Sequence, residues 1–165
     1  MTMVGLFWIT PDAVYVGSPP NALGGCVRLT GDGPEAVDPD GDRAWTWAGL
    51  RSAVVDDVPV EGSSGRASKL LGAVVSAALG AFTGEGPPEM TLRLETENGP
   101  DQVTVYAAVA GYGAEETALS QELLARFVAG TADPGRPAAW GRDHAADGTP
   151  AAAERESLLR TWARP

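Results

Sequence analysis

Polar and apolar residues alternate along two neighbouring stretches, and a period of two residues is typical of strands with one buried face. Met90, Leu92 and Leu94 alternate with polar residues, and the run from Val103 to Val109 alternates again. Asn98-Gly99 lies between the two runs and favours a tight turn. The pattern predicts a β-hairpin with one apolar face toward a core.

The stretch 114–129 has apolar positions at the spacing of a helix. Its apolar stripe consists of Leu119, Leu123, Leu124 and Phe127. Glu115 and Glu116 in the first turn and Arg126 in the last turn suit the helix dipole. Gly130 fits the position after the helix end, so we predict a helix over 114–129.

Short apolar runs separated by turn residues fill the first third of the chain and predict strands. These runs are residues 4–9, 13–17, 26–30, 35–38, 44–47 and 52–58. In the run 44–47, Trp45 and Trp47 would share one face. From the inferred inward faces we predict a core of Leu6, Trp8, Val14, Trp47, Leu92, Leu94, Val103, Val105, Leu123 and Phe127.

Residues 66–82 also have apolar positions at helical spacing, and 70–84 contain no charged residue. This run is shorter than the roughly 20 residues that a membrane span needs. Small residues on the helix would let another element approach closely, whereas a helix packed on its own sheet is the simpler interpretation. The partner surface that we predict for protein contact or self-association comprises Leu71, Gly72, Ser76, Ala77 and Gly80.

From residue 133 the chain becomes rich in Pro, Ala and Gly. We therefore divide it into a domain over 1–132 and a tail over 133–165, made of a linker and a short C-terminal helix. Thr149 and Pro150 fit the start of that helix. Leu158, Leu159 and Trp162 would form its apolar face.

The order of predicted elements, strands followed by a helix, resembles that of the pleckstrin-homology-like superfold. Residues 44–58, AWTWAGLRSAVVDDV, are similar to a stretch of bacterial PH-like domains. The resemblance covers about residues 3–130 and implies an α+β fold, a mostly antiparallel and partly open barrel closed by a C-terminal helix. The helix at about 66–82 would be an insertion, and another α+β fold with an antiparallel sheet stays open.

Charge and cysteine content narrow the range of partners and compartments. The net charge is -10, and the basic residues are eleven scattered arginines and the single Lys69. Binding of nucleic acid needs clustered Lys and Arg, so we expect none. The single cysteine and the absence of a basic-then-apolar start favour the cytoplasm. No transmembrane segment is expected, and contact with a membrane surface is not favoured.

Few residues suggest a metal site or a catalytic site. Asp38, Asp40 and Asp42 are spaced as in a calcium loop, but Arg43 and Gly49 break the EF-hand pattern. A solvated turn is the simpler interpretation, and cation binding stays open. We assign no catalytic residue, no metal ligand and no cofactor.

One Cys and one His could form a nucleophilic dyad only if the tail folded back on the strand that carries Cys26. A buried Cys26 and a solvated His144 are the simpler interpretation. We expect a non-enzymatic protein-binding or scaffold module. Binding of a membrane surface or an apolar ligand through the 66–82 helix is the alternative, and an unrecognised enzyme is a further one.

Overall fold

The structure is a computed structural model, and it describes residues 1–20, 25–38, 41–62 and 86–165. The described chain is an α+β fold with two antiparallel sheets followed by helices. The first sheet contains β1 (Thr2–Val4), β2 (Phe7–Ile9), β3 (Val14–Val16), β4 (Cys26–Leu29), β5 (Pro34–Val37) and β6 (Arg43–Ala44). The second contains β7 (Leu50–Asp56), β8 (Glu89–Thr96) and β9 (Gly99–Tyr106). The helices are α1 (Ala114–Ala129), α2 (Gly135–His144) and α3 (Ala152–Trp162).

The first sheet is a meander in which each strand pairs with the next along the chain. The run 4–9, predicted as one strand, is two strands joined by a turn at Gly5, whose φ is 56°. A side chain is strained in this left-handed region, whereas glycine adopts it readily. The turn puts Phe7 and Ile9 of β2 toward the core and Trp8 on the other face, so the prediction of Trp8 as a core residue is wrong.

The second sheet contains the hairpin that the alternating pattern predicted. β8 and β9 pair from Glu89↔Tyr106 to Thr96↔Gly99, which leaves Glu97 and Asn98 as the turn. The predicted core residues of both strands are buried: Leu92, Leu94, Val103 and Val105. β7 pairs with β8 on the other side, so β8 is the central strand.

Helix α1 has the bounds predicted from the sequence, and its apolar stripe is buried. Gly130 ends it in the left-handed conformation, with φ 69°, and its N–H donates to the carbonyls of Arg126 and Phe127. The rings of Phe127 and Trp47 lie 5.3 Å apart between centroids, which joins α1 to the segment between the two sheets.

The segment around Trp47 differs from the prediction of a strand over 44–47. β6 ends at Ala44, and Trp47–Gly49 form a 3-10 helix capped by Thr46, whose hydroxyl accepts the N–H of Gly49 at 3.1 Å. Side-chain capping of this kind competes with strand pairing. The Trp47 indole is buried and donates to the carbonyl of Thr30 at 3.0 Å.

The tail packs on the rest of the chain through its two helices. α2 occupies much of the stretch that the sequence indicated as a linker, and Asp133 Oδ1 accepts the N–H of Gly135 at its start. On α3, Leu159 and Trp162 are buried in the same core as the sheets. The division into a domain over 1–132 and a tail over 133–165 stays a prediction. No boundary between these two parts is visible among the described residues.

Two further predictions bear on the architecture. Neither sheet closes into a barrel among the described strands, so the barrel of the PH-like resemblance is not established. The helix at 66–82 and the partner surface on it lie outside the described residues.

Candidate functional site

The two sheets differ in the chemistry of their outer faces. On the second sheet the outer row Val54, Arg93 and Gln102 crosses the three strands. The row beside it contains Asp56 and Thr91, and Asp56 forms an ion pair with Arg93 at 2.7 Å. This is the polar face that a solvated antiparallel sheet normally has.

The outer face of the first sheet is apolar and aromatic where it crosses β1, β2 and β3. Met3 pairs with Trp8, and Trp8 pairs with Tyr15, so the three side chains form one cross-strand row. We call Met3, Trp8 and Tyr15 the outer-face row. All three are half-buried, and the register continues from Tyr15 to Arg28 and Glu35.

A charge pair borders this row on its β4 side. Arg28 donates from Nε to Glu35 Oε2 at 3.0 Å, and both side chains are exposed. The hydrogen bond from Arg28 to Glu35 raises the pKa of the Arg28 guanidinium. The face therefore has an apolar part over three strands and a charged part over the next two.

The indole of Trp8 carries an unsatisfied donor. Its Nε1 is buried and has no hydrogen-bond partner within the described part of the chain. A buried donor without an acceptor costs about 1–3 kcal/mol.

Side chains or loops cover edge positions of the strands where another strand could otherwise pair. At β1, Thr149 Oγ1 accepts the backbone N–H of Met3 at 3.2 Å. At β7, the amide of Gln121 accepts the N–H of Val55 at 3.0 Å and donates to its carbonyl. At β9, the carbonyl of Tyr106 accepts the N–H of Ser18 at 2.7 Å. These contacts occupy backbone groups at three edge positions of the two sheets.

One carboxylate of the candidate calcium loop, that of Asp38, forms an ion pair with an arginine. Arg43 contacts Asp38 at 2.8 Å and Asp101 at 2.7 Å, and its guanidinium lies 5.4 Å from the centre of the Trp45 ring. Asp40 lies outside the described residues, and Asp42 lines an open cleft of about 300 Å³ beside Asp38. Within the described ranges no group of three His, Cys, Asp or Glu side chains is placed to bind a metal ion.

Cys26 and His144 have separate surroundings. Cys26 is buried in β4, as predicted, and burial raises the pKa of its thiol, which leaves it protonated at neutral pH. His144 ends α2, where its ring stacks on Trp140 with centroids 5.1 Å apart. Its Nδ1 lies 3.1 Å from the carbonyl of Trp140.

A buried ion pair joins α3 of the tail to α1, and no sequence pattern predicted it. Glu116, in the first turn of α1, is buried, and Arg155 of α3 donates to it from Nη2 at 2.6 Å and from Nε at 2.9 Å. It also accepts the N–H of Gly5 at 3.3 Å. Ser120 Oγ accepts the N–H of Leu6 at 3.1 Å. This cluster joins the β1–β2 turn, α1 and α3.

The α1 and α3 helices also border a cleft of about 200 Å³. Its lining comprises Glu122, Arg126, Arg160, Ala163, Arg164 and Pro165. Three arginines and one carboxylate therefore line it, in a chain whose acidic residues outnumber its basic ones 22 to 12.

Comparison with known proteins adds no family to this description. The sequence matches no family model, and it has no significant similarity to a curated protein or to a solved structure. None of the helices described here is long and apolar enough to cross a membrane. Function is therefore argued from the chain's own residues.

Proposed function

We propose that this chain is a non-enzymatic protein-binding module that contacts its partner through the outer face of the first sheet. The observation that carries the proposal is the outer-face row, because an outer face with only solvent against it is normally polar, as on the second sheet. Aromatic residues and Met are enriched in protein interfaces, whereas charged residues are depleted from their centres.

The layout of the face supports the same proposal. Trp8 and Tyr15 provide large contact area with few rotatable bonds, and such residues contribute much of the binding energy in interfaces. Arg28 and Glu35 lie beside them as a charged rim that stays exposed.

We further infer that the architecture is a variant of the PH-like superfold, and that the protein acts in the cytoplasm. Two antiparallel sheets followed by a helix are compatible with that superfold. The single cysteine suits a reducing compartment. A fold does not by itself identify a ligand. Support for the proposed function therefore comes from the outer-face row and not from the fold.

Affinity capture from cells with one variant on each sheet tests the proposal. Tyr15→Glu places a charge in the outer-face row, and Val54→Glu places the same charge on the outer face of the second sheet, where Val54 is 41% exposed. We expect a partner that binds the wild type and Val54→Glu equally, and binds Tyr15→Glu at least about tenfold more weakly. Equal binding by all three would contradict the proposal, and flotation of the wild type with lipid vesicles would favour the membrane alternative.

A further inference from the structure

We propose that residues 148–162 of the tail form a strap that holds β1 in the first sheet, so that the outer-face row is complete only while the strap is closed. Met3 of the row lies on β1, opposite Trp8 on β2. The importance of the strap for binding rests on the function proposed above, whereas the strap itself follows from the contacts of β1.

β1 has little support from its own sheet. It is three residues long and lies at the edge, where β2 is its one pairing strand among the described strands. Strands are usually about five or six residues long, so β1 forms fewer backbone hydrogen bonds with its neighbour than an ordinary strand does. Contacts from outside the sheet therefore contribute much of what keeps β1 in place.

The strap provides such contacts along the open edge of β1. Thr2 is 1% exposed, and its hydroxyl donates to the carbonyl of Gly148 at 2.9 Å. The N–H of Met3 donates to Thr149 Oγ1 at 3.2 Å. Because a buried polar group without a partner is costly, β1 is stable in its position only with the strap against it.

The strap also contacts the turn that follows β1. Arg155 pairs with Glu116 at 2.6 Å, and Glu116 Oε2 accepts the N–H of Gly5 at 3.3 Å. A Cβ built on Gly5 would lie 3.0 Å from Leu159 Cδ1, so this side chain of α3 lies directly against the turn. The strap therefore contacts β1 at its start and the chain just after its end.

The strap has few buried side chains of its own. Residues 146–149 are exposed, and the buried residues of α3 are Leu159 and Trp162. A helix of eleven residues is marginal in isolation. Segments with few buried contacts open locally while the rest of a protein stays folded. β1 and the strap therefore open and close together, as one unit that is less stable than the β8–β9 hairpin.

Opening of this unit changes the outer-face row. Met3 leaves its position opposite Trp8, whereas Trp8 and Tyr15 stay paired on β2 and β3. A partner that contacts all three side chains binds the closed state more tightly than the open one, and it stabilises the closed strap in return. Opening and closing of the strap thereby regulate the proposed binding face.

Hydrogen exchange of the full chain, measured by NMR at low urea concentrations, tests whether β1 and the strap form one unit. We expect the amides of β1 and α3 to share one opening free energy and one urea dependence, with protection at least about tenfold lower than in β8 and β9. Thr149→Val removes the acceptor for Met3 and should speed exchange in β1 and α3 by the same factor, about threefold or more.

Thr161→Val is the matched control, because the hydroxyl of this exposed residue donates within α3, to the carbonyl of Ser157 at 2.8 Å. It should change exchange in β1 by less than about twofold. Protection of β1 equal to that of β8 and β9, or a Thr149→Val effect confined to β1, would overturn the proposal.

The signals of the Met3 methyl group and the Trp8 indole N–H report on the row itself during a urea titration. We expect both signals to change together with the amides of α3, at lower urea than the amides of β8 and β9. Signals that follow β8 and β9 instead would show that the row does not depend on the strap. Both measurements use the free protein, so their failure is distinct from a failure to find a partner for the outer-face row.

Discussion

The buried ion pair between Glu116 and Arg155 is the contact whose removal tests the packing of the tail most sharply. The side chain of Glu116 is 5% exposed and that of Arg155 is 18% exposed. The hydrogen bonds to Glu116 raise the pKa of Arg155, which therefore stays charged. Arg155→Leu would leave the carboxylate of Glu116 buried with only the N–H of Gly5, at 3.3 Å, as a remaining cross-element partner.

The expected cost follows from this geometry. Removing one partner of a buried pair destabilises proteins by about 3–5 kcal/mol, because it leaves a buried charge uncompensated. We expect about 3 kcal/mol here, the lower end, since Arg155 is partly exposed and water can replace some of its contacts. For a chain of 165 residues, this corresponds to a fall in Tm of about 6–12 °C.

Equilibrium unfolding in urea measures this loss, and the same helix provides the control. Arg160 pairs with Glu115, and these side chains are 48% and 58% exposed, so Arg160→Leu should cost under about 1 kcal/mol. The double variant Glu116→Leu/Arg155→Leu should recover part of the loss, because it leaves no buried charge. A loss for Arg155→Leu no larger than that for Arg160→Leu would refute the reasoning.

Four further changes have expected outcomes. Leu123→Ala empties a fully buried position on α1 and should cost about 2–5 kcal/mol in denaturant melts. Gly5→Ala should destabilise the protein by more than about 1 kcal/mol, because φ is 56° there and a Cβ would overlap with a side-chain oxygen of α1; a neutral change would contradict the close approach. Burial raises the pKa of Tyr112 to about 12, so the folded state keeps a proton that the unfolded chain loses at about 10. The contribution of Tyr112 to stability should therefore be constant below pH 10 and fall between pH 10 and 12, and Tyr112→Phe should remove this contribution. If the 66–82 surface mediates self-association, replacing Ser76 and Ala77 with arginine should yield a monomer by light scattering, whereas a wild type that is already monomeric would contradict that prediction.

The elements that were predicted most accurately are those defined by local chemistry. Helix α1 combines an apolar stripe, an acidic first turn and Gly130 at its end, and each of these signals lies within a few residues of the others. The β8–β9 hairpin combines strict alternation with a turn that contains Asn98. Neither element needs information from elsewhere in the chain.

The errors arise where distant parts of the chain decide the local structure. Periodicity could not show that Gly5 breaks an apolar run, and this break moves Trp8 from the core to the outer face. A glycine inside a strand-length apolar run is the one signal that could have indicated it. The sequence pattern placed Glu116 in the first turn of α1 but could not show its burial, which depends on its contact with Arg155, 39 residues later.

Site-specific photo-crosslinking tests the proposed binding face most directly. Replacing Tyr15 with the photoreactive analogue p-benzoylphenylalanine retains an aromatic side chain in the outer-face row, and the same replacement of Val54 places the probe on the outer face of the second sheet. In intact cells we expect a defined crosslinked protein from position 15 and none from position 54. Crosslinking of the same protein from position 54 but not from position 15 would contradict the proposal that the first sheet binds the partner.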